Sequence, residues 1–433
     1  MSLLRRIAGH THPWLAALRT GAVDTTSFWA KVAEVGTPLI EADASSPDHL
    51  LVTFLWRHRD QDRWVALSLE GANLAAGLLT RHAGTDVRYA TYRCRHDLRV
   101  PYHIAANVPS IDPDHASAAE IVELGNFLAG ASSGPDPLHH DNERYGSPTG
   151  GDDFQVSVLT LPNAPDESRT RKRDGIVRGT LETHELESPA LGNARRVWVY
   201  TPPRRVNARA ADTPLPWLLA FDAGTYLAQM FVHRIVDNLC ADGIIAPTMV
   251  VPVDNPSAES RNLELPSSEP FVQFLAQELV PWLRDRYPLS REAADSFVTG
   301  ASYVGLAALW AGYRLSHIFG NVIAQGASLW WGPGHRLDVP RNEGIYRREW
   351  LIDEFERASK LPLRIWLEVG LLEHPIFMLA SNRRLRRILE SKGYDLRYLE
   401  PAGGHETAVW RGTLARALAE MLPRPRELRK GAP

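Results

Sequence analysis

From about residue 176 onward, short and almost uninterrupted apolar runs recur, and this pattern constrains the fold more than any other feature of the chain. The runs are RVWVY at 196–200, WLLAF at 217–221, TMVVPV at 248–253, SFVT at 296–299, GNVIAQ at 320–325, LRIWLEV at 363–369 and DLRYL at 395–399. Helical stretches alternate with them at 269–286, 303–314, 378–392 and 411–422. A strand that is apolar at nearly every position is buried on both faces, and helices between successive strands supply the cover. The second half therefore reads as an α/β domain around a mostly parallel sheet.

The first half has a different texture. Residues 49–57, 63–69 and 86–107 are rich in β-branched and aromatic side chains with partial period-2 alternation, and turn signals such as Gly71-Ala72-Asn73 separate them. Several strands at short spacing predict an antiparallel, all-β sandwich of immunoglobulin-like type. A Pro-, Asp-, His- and Gly-rich stretch at 111–153 carries one candidate helix around 117–129, and the charged, apolar-poor segment at 167–175 marks a join. The expected division is a sandwich domain at 1–165 and a catalytic domain at 166–433. Because the α/β half already holds a complete set of catalytic candidates, the sandwich is expected to restrict which substrates enter.

Those candidates begin at Gly300-Ala301-Ser302-Tyr303-Val304-Gly305, where a strand runs into an Ala- and Leu-rich helical stretch. A serine on a sharp strand-to-helix turn stands clear of the sheet, and the N–H of Tyr303 with the helix N-terminus favours a developing oxyanion. The competing reading is a helix cap, a role serine fills well. A serine nucleophile needs a base. His405 follows two glycines just after the last strand candidate, so a loop can carry its ring over the sheet edge. Two carboxylates, Glu368 and Glu373, can orient that ring. Glu368 falls within a strand and suits a buried structural role, whereas Glu373 lies in the loop beyond and is the expected acid. The order Ser302, Glu373, His405 is that of the α/β-hydrolases.

These residues, with others, resemble the enterochelin (ferric enterobactin) esterase family. The similar elements are RNLELP at 261–266, Ser328-Leu329-Trp330-Trp331, LEVGLLEHP at 367–375, Gly403-Gly404-His405 and Trp410-Arg411-Gly412. In the first half they are Phe28-Trp29, GTPLIE at 36–41 and VTFLWR at 52–57. The resemblance implies a cytoplasmic serine esterase that cleaves the ester bonds of a catecholate siderophore built on a serine trilactone. Ser302, His405 and Glu373 fall on its nucleophile, base and acid. Gly224 is expected to join Tyr303 in the oxyanion hole, and Arg261, Trp330, Trp331, Tyr226 and Arg411 are expected at the substrate. For Arg261 the alternative is a structural pair with Glu264, and for the two tryptophans it is the core. The chain departs from the family pattern at Val304, where a glycine is usual. A β-branched side chain there is expected to loosen the elbow or shift the helix.

Other function classes find little support. With 48 Lys and Arg against 51 Asp and Glu, the formal charge of −3 offers nothing to nucleic acid. Two cysteines, Cys94 and Cys240, are too few for a disulfide framework, which favours the cytoplasm. No run of eighteen apolar residues suggests a membrane span. His139-His140 beside Asp141 could ligate a metal, yet the turn-rich setting reads as a solvated loop, and no metal or cofactor is expected. The expected partner is a small-molecule ester, in the family's case a ferric catecholate. The alternatives within enzymes are an acyltransferase or a hydrolase for another serine-linked or depsipeptide product. Outside them, a degenerate hydrolase could bind its ligand without turnover.

Overall fold

The computed structural model describes residues 3–8, 10–69, 77–109, 133–147, 152–203, 214–333 and 349–424, with positions 117, 120 and 123. The turn at Gly71-Ala72-Asn73 and most of the helix expected around 117–129 lie outside the described residues. The chain forms two compact units. One holds Met1–Gly146, Asp152–Pro165 and, from the far end of the sequence, Ala402–Ala408; the other holds Ser147–Gly151, Asp166–Pro401 and Val409–Pro433.

The first unit contains two antiparallel sheets. One orders β1 (Leu4–Arg6), β6 (Val87–Arg95), β3 (His49–Arg57) and β2 (Leu39–Ala42), with β5 (Thr80–Arg81) on β6. The other orders β4 (Val65–Leu69), β7 (Arg99–Ala106), β10 (Phe154–Thr160) and β9 (Glu143–Tyr145), with β8 (Ser133–Gly134) on β7. The sheets face each other through Phe54 of β3 and Tyr102 of β7, whose ring centroids lie 4.9 Å apart.

The expectation of an all-β domain does not hold. Two helices, α1 (Pro13–Arg19) and α2 (Thr25–Val35), cover the outer face of the first sheet. Successive strand residues point to opposite faces. Phe54 thus meets the second sheet, while its neighbour Leu55 joins Leu15, Leu18, Phe28, Trp29 and Val32 of the helices. Local signals define these helices. Pro13 sits in the first turn of α1, the Asp24 carboxylate accepts from Ser27 N at 2.7 Å to cap α2, and Gly36 at φ 81° ends it.

The second unit is built on an eight-stranded sheet. Its strands are β11 (Thr180–Ser188), β12 (Asn193–Thr201), β13 (Trp217–Phe221), β14 (Met249–Val253), β15 (Ser296–Ala301), β16 (Asn321–Gln325), β17 (Arg364–Glu368) and β18 (Asp395–Leu399). They are ordered β11-β12-β14-β13-β15-β16-β17-β18. The pairs β11–β12 and β12–β14 are antiparallel and all the others are parallel. Strand alternation divides the core cleanly. Trp217, Leu219 and Phe221 pack on one face with the helices at 269–286 and Tyr303–Arg314, whereas Leu218 and Ala220 pack on the other with Val232–Ala241 and Thr407–Met421. Both faces of β13 and β14 are covered, which is why these two strands carry apolar residues at every position.

Candidate active site

Ser302 occupies the single-residue turn between β15 and the helix Tyr303–Arg314, at φ 59° and ψ −123°. A non-glycine residue in that region carries a strain of roughly 1–3 kcal/mol and persists only where its surroundings enforce it. Here the enforcement is backbone pairing. Ser302 N donates to Gln325 O at 2.8 Å, and Ser302 O accepts from Gly305 N at 3.0 Å, Ser328 N at 3.1 Å and Leu306 N at 3.2 Å. Tight packing adds to this. A Cβ on Gly300 would overlap the Val304 carbonyl, and one on Gly305 would lie 3.2 Å from Ala327 Cα.

The expected loosening at Val304 is not seen. The close approach of strand to helix falls on Gly300 and Gly305, while Val304 is buried as part of the hydrophobic core. The elbow therefore tolerates a branched residue two positions after the serine.

The two candidate carboxylates have different settings. Glu368, at the end of β17, is fully buried and accepts from Trp366 Nε1 at 2.7 Å, Gln325 Nε2 at 3.0 Å and Thr413 Oγ1 at 2.5 Å. Burial pushes its pKa up to about 7 against the pull of those donors. It ties β16, β17 and the helix Thr407–Met421 together. Glu373 lies in the turn beyond β17, where Gly370 N donates to Oε1 at 2.9 Å. Both of its carboxylate oxygens flank Gly326, with Oε1 2.9 Å from where a Cβ on that glycine would stand. Gly326 follows the residue whose carbonyl holds Ser302 N, so this carboxylate sits on the flank of the elbow. His405 is half-buried, two residues before the helix Thr407–Met421, in the segment that belongs to the first unit.

After β13 the chain turns sharply at Asp222, itself left-handed at φ 55° and ψ 59°, into the short helix Ala223–Ala228. The first intrahelical bond is from Tyr226 N to Asp222 O, so the N–H of Gly224 lies in a turn whose donors have no acceptor within the helix. Arg261 pairs with Asp222 and not with Glu264. Its Nε and Nη2 reach the Asp222 carboxylate at 2.7–2.9 Å, and its guanidinium lies 5.5 Å from the Tyr303 ring centroid. Glu264 is instead held by Arg195 and Asn193, each at 2.7 Å. Asn255 also donates to Asp222, at 2.7 Å. Sequence reasoning missed Asp222 and Asn255, although a polar residue directly after five buried apolar positions is a signal in itself.

Trp331 is buried edge-on to Tyr303 with centroids 6.1 Å apart, and the half-buried Trp330 meets Phe377 at 6.4 Å. Two expected substrate contacts are corrected. Tyr226 is 1% exposed with its hydroxyl 3.3 Å from Thr299 Oγ1, so it has almost no surface to offer a ligand. Arg411 is 4% exposed and places Nε and Nη2 on the Glu167 carboxylate at 2.9 and 2.6 Å. A buried guanidinium requires such a partner, and its role here is internal. His139 and His140 each meet a backbone carbonyl, Thr37 O at 2.6 Å and Ala33 O at 3.0 Å. The arginines of the helix Ser381–Ser391 form ion pairs, Arg383 with Glu400, Arg384 with Glu349, Asp353 and Glu356, and Arg386 with Glu390. Cys94 and Cys240 are free thiols. Among the described residues no helix is long and apolar enough to cross a membrane.

A strained serine elbow at the C-terminal edge of this sheet, in a chain that matches the putative esterase family model over residues 188–421, defines a carboxylic ester hydrolase of the α/β-hydrolase class. The enterochelin esterase N-terminal model matches residues 51–170. The iron(III) enterobactin esterase of Dickeya dadantii (strain 3937) is 28% identical over 411 residues, covering 90% of this chain and 91% of its own. That of Escherichia coli (strain K12) is 31% identical over 274 residues, 63% of this chain and 64% of its own. The crystal structure of the enterobactin esterase from Shigella flexneri in the presence of enterobactin superposes with a TM-score of 0.73 at 25% identity, covering 92% of this chain and 98% of that one. The chain belongs to the enterochelin esterase family.

Proposed function

We propose that this protein is a serine esterase that hydrolyses the ester bonds of a catecholate siderophore built on a serine trilactone, in its ferric or iron-free form. The observation that carries the reading is the enforced backbone of Ser302, an expense a helix cap would not require. Ser302 Oγ attacks the ester carbonyl as His405 takes its proton. The N–H groups of Tyr303 and Gly224 receive the developing oxyanion. Collapse expels the seryl alkoxide, which His405 protonates, leaving an acyl group on Ser302. Water activated by the same imidazole then releases the acid and restores the serine. Glu373 accepts from the ring of His405 and stabilises the imidazolium; Glu368, already engaged by three donors, keeps the sheet and the last helix in register.

For substrate recognition, Arg261 offers positive charge to the anionic catecholates, held in place by Asp222. Trp330 and the edge of Trp331 offer apolar surface to the rings. The relatives named for iron(III) enterobactin support this substrate class. We assign the N-terminal domain, 1–165, the role of restricting substrates to those of this class. A cytoplasmic location accords with the two free cysteines.

A fluorophosphonate probe, followed by peptide mapping, is expected to label Ser302. Incubation with ferric and iron-free enterobactin, read by mass spectrometry, is expected to yield the linear dihydroxybenzoyl-serine esters. Absence of both label and products would leave a binding protein without turnover.

A further inference from the structure

The segment Ala402–Ala408 is glycine-rich at Gly403-Gly404 and carries His405 at its centre, three residues from each end. Consecutive glycines confer backbone freedom that a general base cannot use, since a proton acceptor must be held within fractions of an ångström of its donor. One residue of the first unit fastens both ends. Arg99, at the start of β7, donates its backbone N–H to Ala402 O at 2.9 Å and its Nε to Ala408 O at 3.0 Å. The arginine is itself fixed. It is 4% exposed, Nη1 donates to Thr160 Oγ1 at 2.5 Å, and Nη2 pairs with Glu143 at 2.7 Å. The other oxygen of Glu143 accepts from Tyr145 Oη at 2.7 Å.

We infer that Arg99 is a positioning residue for His405, closing the 402–408 segment into a loop of fixed shape so that the imidazole is presented in one orientation. The inference rests on the proposed role of His405 as the base. Lysine cannot replace arginine here. It has one terminal nitrogen, whereas Arg99 uses three along a rigid plane to meet Ala408, Thr160 and Glu143. The backbone bond to Ala402 survives any side-chain change, so a variant loosens one end of the loop and leaves the other tied.

The test is a double-mutant cycle of Arg99→Lys with His405→Ala, with kcat and KM measured on a trilactone and folding followed by circular dichroism. Arg99→Lys in the parent is expected to lower kcat by about 10- to 100-fold with KM within about threefold, as for a displaced catalytic group. In the His405→Ala background the same change is expected to alter the residual rate by less than about twofold, because the group it orients is gone. Glu143→Gln, which keeps Arg99 but removes its charge partner, provides a second route. It should show a smaller loss of kcat with the same dependence on His405. Equal losses in both backgrounds would mean that Arg99 supports the fold in general and would overturn the inference, as would a folded Arg99→Lys variant with kcat within twofold of the parent. Near-normal activity of His405→Ala alone is a separate result: it would refute the assignment of the base, and the inference with it, whatever Arg99→Lys does.

Discussion

The nucleophile elbow and the histidine loop are fixed by opposite means. The elbow is immobilised by its own neighbourhood. Backbone bonds from Gln325, Gly305, Leu306 and Ser328 converge on Ser302, and glycines at 300 and 305 bring strand and helix together. The histidine loop contains glycines that loosen it, and a side chain 309 positions earlier in the chain holds it. Ser302 is thus pre-set by the sheet that carries it, while the segment around His405 is tied by a side chain far away in the sequence. A local device resists substitution everywhere except at its contact points. A long-range staple places part of its hold in one arginine side chain.

The largest effects are expected at Ser302 and His405 themselves. Ser302→Ala and His405→Ala are each expected to reduce kcat on a trilactone by at least about three orders of magnitude with an unchanged circular dichroism spectrum. Turnover that survives either change would remove one side of the contrast. Next comes the packing of the elbow. Gly300→Ala must push the Val304 carbonyl away, displacing the Tyr303 N–H, and a fall in kcat/KM of about 100-fold, or ~2.7 kcal/mol, is expected by steady-state kinetics. An unaffected Gly300→Ala enzyme would mean that backbone pairing alone sets the serine.

The two carboxylates give a smaller, divided effect. Glu373→Gln should lower kcat by tenfold or more, and Glu368→Gln by less than about threefold. The second variant has its own signature in stability. The raised pKa of Glu368 means that the folded protein keeps a proton the unfolded chain has released, so stability is full below pH about 4.5 and declines as pH rises to about 7. Thermal melts across that window should show a shallower decline for Glu368→Gln than for the parent. Val304→Gly should affect catalysis least. It removes a buried side chain and adds helix-disfavouring glycine, costing about 2–4 kcal/mol of stability, with kcat within about threefold. A tenfold change in kcat would return Val304 to the elbow's machinery.

Much of the α/β half was legible from its amino acids because burial on both faces leaves a compositional mark. Each apolar run from 196 to 399 lies on a strand of the large sheet, and the serine turn follows from a strand, a small-residue corner and an apolar helix in direct succession. The strand Thr180–Ser188 was not legible. It lies at the sheet's edge with most side chains exposed, so nothing forces its sequence, TLETHELES, to be apolar. Helices α1 and α2 were missed for another reason: they are short, and their caps at His12 and Asp24 are single residues amid mixed composition.

The sequence by itself therefore determined the candidate chemistry and the alternation of strands and helices in the second half, because local periodicity and turn geometry are properties of neighbours in the chain. It marked Ser302, Glu373 and His405 as candidates, and it separated Glu368, within a strand, from Glu373, in the loop beyond it. Only the tertiary structure decided which cation meets which carboxylate. Arg261 went to Asp222, Arg411 to Glu167 and Arg99 to Glu143, at separations of 39, 244 and 44 residues. Ion pairs and hydrogen bonds act over a few ångströms of space and are indifferent to distance along the chain. An arginine's sequence neighbourhood therefore does not reveal whether it faces a ligand or is buried against a carboxylate.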